Sequence, residues 1–233
     1  MEHEVIKHTR KIQTAVKKDN RAVTEKIKEI FVEIAIIVFA VTLSIWLHGW
    51  SEHRHQQKEV KEFLTDLKED LSNDIRSMES SGSSLQKKID NFHFLEQLTK
   101  AQTDSILKNK GSLYISSSVG TTKISNGNYE GFKSSGKIGL IENKALKKNI
   151  LKYYQELTPD IVEVEKINAE LALKLTDYLT ENADRDFLTN VLDPKFKYRI
   201  RTIVSITTNN SAQYQKAISL AKEIMHEINQ QLK

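Results

Sequence analysis

IFVEIAIIVFAVTLSIWLHGW, residues 30–50, holds no lysine or arginine, and its only acidic residue is Glu33. Nothing from 34 to 47 is charged. At about 1.5 Å rise per residue, a helix of this length spans roughly 31 Å, close to the ~30 Å hydrocarbon thickness of a bilayer. A run that is apolar on every face suits either lipid or the centre of a large core. The rest of the chain has no α/β pattern able to enclose it. A secretory leader fits less well, because its apolar region is about 7–15 residues long and ends at small residues. This run follows a long polar segment and ends in Trp-Leu-His-Gly-Trp. Trp46 and Trp50 stand near one end, where indole rings favour the headgroup level. The expectation is a basic cytoplasmic segment over 1–29, an uncleaved transmembrane helix over 30–50 and an extracytoplasmic helical domain over 51–233.

The flanks suggest an orientation. Lys17, Lys18, Arg21, Lys26 and Lys28 precede the run closely, against Arg54, Lys58 and Lys61 after it. Lysine and arginine are retained on the cytoplasmic side, which favours an N-terminus inside and a C-terminal domain outside the cytoplasmic membrane. In a Gram-negative cell that domain would be periplasmic. Residues 1–30 carry 8 basic and 5 acidic side chains, so most of the +4 net charge lies beside the membrane. There it favours an anionic leaflet. The pI of about 9.0 therefore does not point to nucleic acid, since charges after the run are nearly balanced. The absence of cysteine removes disulfides, thiolate nucleophiles and cysteine zinc sites. Two prolines and eight glycines leave room for long helices.

The run itself carries a few polar and small positions. Glu33, Ala40, Ser44 and His48 recur at spacings of seven, four and four, on one helical face. Ala40-x-x-x-Ser44 is a small-xxx-small pair that lets a second helix approach. The four residues are therefore the candidate helix-association face, and Trp46 and Trp50 the interfacial anchors. Before the run, Val5, Ile12, Val16, Val23 and Ile27 among lysines and arginines suit a basic amphipathic helix or a solvated tail. After it, His48, His53 and His55 lack the spacing of a metal site: His at i and i+2 do not share a helical face.

Beyond residue 58 the chain reads as stripes. Val60, Leu64, Leu67, Leu71, Ile75 and Met78 form the first, continuing the apolar helix outward. Ser80-Ser81-Gly82-Ser83-Ser84 predicts a turn or hinge, and Leu85, Ile89, Phe92, Leu95 and Leu98 a second helix to about residue 107. Residues 108–127 are rich in Gly, Ser, Thr and Asn and predict a loop or small hairpin, with β-compatible pieces at 113–116 and 121–125. Gly-Thr-Thr-Lys at 120–123 lacks the phosphate-loop spacing and frame. A short helix follows, capped by Asn126 or Asn128 and closed by Gly136. The longest pattern comes next: Leu146, Ile150, Tyr153, Leu157, Ile161, Val164, Ile167 or Asn168, Leu171, Leu175 and Tyr178, coiled-coil-like in its 3/4 alternation. Pro159 should kink or restart it. Residues 182–194 read as a connector, and the last helix as broken at Thr207-Thr208-Asn209-Asn210. The fold class is all-α, an antiparallel long-helix bundle.

Glu33-Ile34, the aliphatic run, Trp50-x-Glu52 and KEVKEFLTDLKEDL at 58–71 resemble a bacterial family of single-span membrane proteins of unknown function. Its pattern is E-I, an aliphatic run with G-x-x-x-A, then N-N-W-N-E and a charged helix with L-x-x-L-x-x-D-L. Tyr129, Lys133-Ser134-Ser135-Gly136, Leu140-Ile141, Leu146, Ile150 and Tyr153-Tyr154 resemble a second block of that family, in matching order. Ala40 stands where the pattern has Gly, and His48-Gly49 where it has Asn-Asn. The resemblance implies a membrane-anchored helical domain and no particular activity.

Function classes follow. Long stripes that must be buried suggest an interaction or assembly subunit with a protein partner or a homo-oligomer, alongside the lipid bilayer. A ligand-sensing bundle is the alternative, although the N-terminal segment is too short for a transmitter. Enzymatic candidates are thin: Asp66, Glu69 and Asp70 share a charged face, and Tyr129 and Lys133 are four apart, as a solvated face or an i,i+4 contact would place them. No cofactor and no catalytic residue is expected.

Overall fold

The computed structural model describes the backbone of residues 2–109, 111–116 and 121–232, with the side chains of those ranges from residue 30 onward and of Glu25, Ile27 and Lys28. The amphipathic face expected before residue 25, the side chains of Lys17, Lys18, Arg21 and Lys26 used for the orientation, and Gly120 lie outside the described residues. The chain divides into two units, Met1–Gln56 and Gln57–Lys233. The first helix, α1 (Glu2–Gln97), contributes to both.

In the first unit every described side chain from 30 to 55 is exposed. Phe31, Phe39, Ile45 and Trp46 are all more than half open to their surroundings. Among the described residues, one helix is long and apolar enough to cross a membrane, and its apolar window is wholly unburied. Thr42 returns its hydroxyl to the Val38 carbonyl at 2.7 Å, so this polar residue exposes no unbonded donor on an apolar surface.

The second unit is all-α, and no strand occurs among the described residues. Past residue 57, α1 is followed by α2 (Lys100–Lys108), α3 (Gly127–Ser134), α4 (Lys144–Lys152), α5 (Thr158–Glu181), α6 (Phe187–Leu192) and α7 (Pro194–Gln231). Three long rods make the body. Helix α7 runs antiparallel to α1, as Lys68–Asn229, Glu79–Lys222 and Glu96–Arg201 pairs show. It is antiparallel to α4–α5 as well, through Asn149–Glu227 and Asn168–Thr207. Helices α1 and α4–α5 therefore run in the same direction, with Gln57 meeting Leu140 and Asp74 meeting Tyr153. Parallel neighbours cannot be joined by a tight turn, so the chain needs a long crossover. Residues 98–143 contain it, and their described part runs back along α1 from Asn91 past Asp74 to Glu59.

Two apolar clusters fill the body. One gathers Leu64, Leu67, Leu71, Met78, Ile150, Tyr153 and Ile224 among others; the other gathers Phe92, Leu95, Leu175, Phe196, Ile200 and Ile203. Between them, α5 and α7 turn Glu165, Asn168, Thr207 and Asn210 inward. This explains why the polar Thr207–Asn210 stretch does not break α7, contrary to the sequence expectation. Those side chains face a polar layer, and Thr207 donates to Asn168 Oδ1 at 3.1 Å.

The expected hinge at 80–84 is also helix. Met78 and Leu85, seven apart, are both buried on one face. Ser83 and Ser84 return their hydroxyls to the carbonyls of Glu79 and Ser80. A Cβ at Gly82 would meet only Tyr214 Cδ2, at 3.8 Å, an ordinary contact. Gly82→Ala is accordingly expected to stabilise the full chain by about 0.5–1 kcal/mol, the usual gain on removing a mid-helix glycine. A higher urea midpoint checks it; a lower one would mean that the stretch bends.

Pro159 acts where the sequence placed it, by a specific device. Between α4 and α5 the helix widens into a π turn, Tyr153–Leu157, and the Thr158 N–H donates to the Tyr153 carbonyl five residues back. Both Tyr153 and Tyr154 are buried in consequence. The connector at 182–194 contains α6, started by Asp186, whose carboxylate accepts from the Thr189 N–H and hydroxyl. The second apolar stripe does not form a separate helix to 107: α1 ends at Gln97, and a Thr99–Gln102 capping box starts α2. Gly136, at φ 75°, closes α3 as expected.

Candidate functional site

Apolar side chains of the crossover such as Tyr129 and Ile141 join the core, and between residues 114 and 128 polar bonds also hold it to the helices. Extended backbone needs partners for its N–H groups, and the helices provide side chains rather than a strand. Asn91 brackets the upper part, donating to the Tyr114 carbonyl at 3.2 Å and accepting from the Ser116 N–H at 2.9 Å. Lower down, the Thr122 N–H reaches Glu165, the Lys123 N–H reaches Ser77 Oγ and the Ser125 N–H reaches Asp74 Oδ1 at 2.7 Å. The Asn128 amide then donates to Asp70 at 2.9 Å. The β-compatible pieces are extended but pair with side chains, and no hairpin forms among the described residues.

Two buried carboxylates anchor this arrangement. Asp74 accepts from the Ser125 N–H and, at 3.0 Å, from the Tyr153 hydroxyl. Burial outweighs these bonds and pushes its carboxyl up to about 6. Glu165 Oε1 accepts from the Thr122 N–H, the Thr122 hydroxyl and the Tyr214 hydroxyl. Around Asp74, Tyr129 stacks on Tyr154 with ring centroids 4.4 Å apart, and Tyr153 meets Tyr154 edge-on at 4.8 Å. Burial drives the hydroxyls of Tyr153, Tyr154 and Tyr214 well above the usual phenol range. They serve as neutral donors, and nothing in the cluster activates a nucleophile. The arrangement is a clamp on the crossover.

A cleft of about 500 Å³ opens between α5 and α7, lined by Leu171 and Ile203 at its base and by Lys174, Lys195, Tyr198 and Arg199 at its rim. Tyr198 is 70 % exposed. The Arg199 guanidinium lies 5.2 Å from the Tyr178 ring centroid. None of the described lining residues is acidic.

The sequence-predicted site residues fall elsewhere. Glu33, Ala40, Ser44 and His48 are all exposed along α1, with Trp46 and Trp50. The Arg54 guanidinium covers the Trp50 ring at 4.8 Å, an arrangement suited to an interface where the ring is apolar and the cation wet. No group of three or more metal-capable side chains forms among the described residues. Asp66 and Glu69 are exposed, Asp70 holds Asn128, and Lys133 lies 5.5 Å over Tyr129, the i,i+4 contact expected.

Sequence reasoning missed Asp74, Lys88 and Glu165. Each is a charged residue lying inside an apolar stripe, three or four positions from Leu71, Leu85 and Ile161. That register was the available signal. Comparison of the chain with protein-family models, curated proteins and solved structures returned no match.

Proposed function

We propose that this chain is a single-span membrane protein whose helical domain docks a partner protein outside the cytoplasmic membrane. Residues 30–50 would form the span, with the N-terminus inside and the helical domain in the periplasm of a Gram-negative cell. The unburied apolar stretch of α1 and the lysine and arginine bias of its flanks support this placement. Glu33, Ala40, Ser44 and His48 would offer a face to a second helix in the bilayer. The role is non-catalytic.

The observation that carries the docking role is the α5–α7 cleft. Its base is apolar, its rim presents Lys174, Lys195 and Arg199, and an open tyrosine stands among them. Tyrosine and arginine are the residues most often found as interface anchors. Three cations and no carboxylate among the described lining residues suit an acidic amphipathic helix of the partner, lying with its apolar side on Leu171 and Ile203.

A photo-crosslinking residue at position 198 of the full chain in native membranes tests this. The expected result is one adduct of fixed mass, reduced by about tenfold when Lys195→Glu and Arg199→Glu are combined, the equivalent of 1.4 kcal/mol. A cross-linking pattern unchanged by charge reversal would sink the proposal.

A further inference from the structure

Lys88 is the exception among the buried charges of the bundle. It lies on α1 between Leu85 and Phe92, is only 2 % exposed, and its Nζ sits 5.7 Å from the Phe92 ring centroid. Asp74 and Glu165 each gather several donors, whereas no acceptor or carboxylate among the described residues reaches this ammonium. Burying an unpaired cation is strongly unfavourable, and burial alone pushes the amine below the usual lysine range.

The same side chain lines a cleft of about 370 Å³ between α1, α5 and the crossover. Phe92, Ile115, Leu175 and Leu179 make its walls, and Ala169 and Ala172 leave the space open on α5. None of the described residues lining it is acidic. An apolar chamber with one convergent polar group is the usual form of a small-molecule site, and this volume lies at the small end of such sites.

We propose that this cleft binds a small aliphatic monocarboxylate, its chain on the Phe92, Leu175 and Leu179 side chains and its carboxylate paired with Lys88. The ligand supplies the counter-charge that no described residue does, and the pairing takes place at a side chain largely withdrawn from water, where a charge-assisted bond is strong. The proposal is independent of the docking role of the α5–α7 cleft.

Octanoate is the probe, with octanol as its uncharged counterpart, titrated against the full chain in lipid nanodiscs. Carboxyl-labelled octanoate is followed by carbon NMR, and lipid partitioning is set by empty nanodiscs. The expected result is saturable binding of one octanoate per chain, with octanol at least about tenfold weaker. Lys88→Met should weaken octanoate by about tenfold or more and leave octanol unchanged. Because it replaces a buried charge with an apolar chain of similar length, it should fold. Ala172→Phe, which fills the cleft and keeps the lysine, should remove binding of both. Octanoate binding that survives Lys88→Met, equal affinity for octanol, or no saturable binding above the empty nanodiscs would each overturn the proposal.

Discussion

Raising the pH from about 4 to about 6 should weaken the helical domain through Asp74, against the usual behaviour of a carboxylate. The folded-state value is raised from 3.8 to about 6, so in that window the folded chain binds the proton and the unfolded chain has released it. A group whose folded value lies above its unfolded value contributes stability below the unfolded value and loses it as pH rises through the folded one. A shift of two units corresponds to roughly 3 kcal/mol. Other carboxylates titrate in the same range, so the readout is a difference between two proteins. Asp74→Asn keeps an acceptor for the Ser125 N–H and offers an amide to the Tyr153 oxygen, while carrying no charge. Against it, wild-type stability measured by urea unfolding should fall across this window and end lower by about 3 kcal/mol at pH 7. If the two proteins titrate in parallel, burial of the Asp74 carboxylate is not governing its ionisation. Asp74→Ala is the contrasting case, because it strands a buried hydroxyl and a backbone N–H.

Glu165→Ala should be among the most damaging single changes in the domain. It removes the acceptor of three donors at once: the Thr122 N–H, the Thr122 hydroxyl and the Tyr214 hydroxyl. Each buried donor left unsatisfied costs about 1–3 kcal/mol, and a total of roughly 3–5 kcal/mol is expected because part of the site can take up water. The loss should be uneven in space. Hydrogen exchange should accelerate most at Thr122, Lys123 and Ser125, where the clamp holds the crossover, before it rises along α7. Glu165→Gln retains an acceptor oxygen and should recover most of the loss. Equal destabilisation by both variants would show that the negative charge, rather than the accepting oxygen, is what matters.

How much of this was legible in the sequence divides along physical lines. The apolar run, the first stripe from Val60 to Met78, the α3 stop at Gly136 and the disturbance at Pro159 are all local signals, and local signals survive folding. The two errors of the same kind, a hinge at 80–84 and a break at 207–210, came from reading polarity as a lack of helix. Seven-residue spacing from Met78 to Leu85 already carried the face across the serines. Thr207 and Asn210 are buried because α5 presents Glu165 and Asn168 opposite them, a pairing that depends on tertiary contacts. The parallel course of α1 and α5 was likewise beyond periodicity, which records faces and carries no direction. The candidate clefts were the least legible part. Lys174 and Arg199 look like ordinary helix-surface cations until the neighbouring rods are in place, and the register of Lys88 in its apolar stripe shows burial but not the cleft beside it.

The direction of α1 relative to its neighbours bears on how the protein is made. The stripe of α1 meets α7 across as many as 161 residues of sequence, from Lys68 to Asn229. All-helical domains ordinarily fold fast because their contacts are local; this one defers the pairing of α1 with α7. At about 5–20 residues per second of synthesis, the interval is on the order of ten seconds. For that time Leu64, Leu67, Leu71 and Met78 have emerged and their α7 partners have not. A chaperone that shields the nascent stripe, or an early fold-back of α4 on α1 through Tyr153 and Asp74, is what such a sequence of events requires.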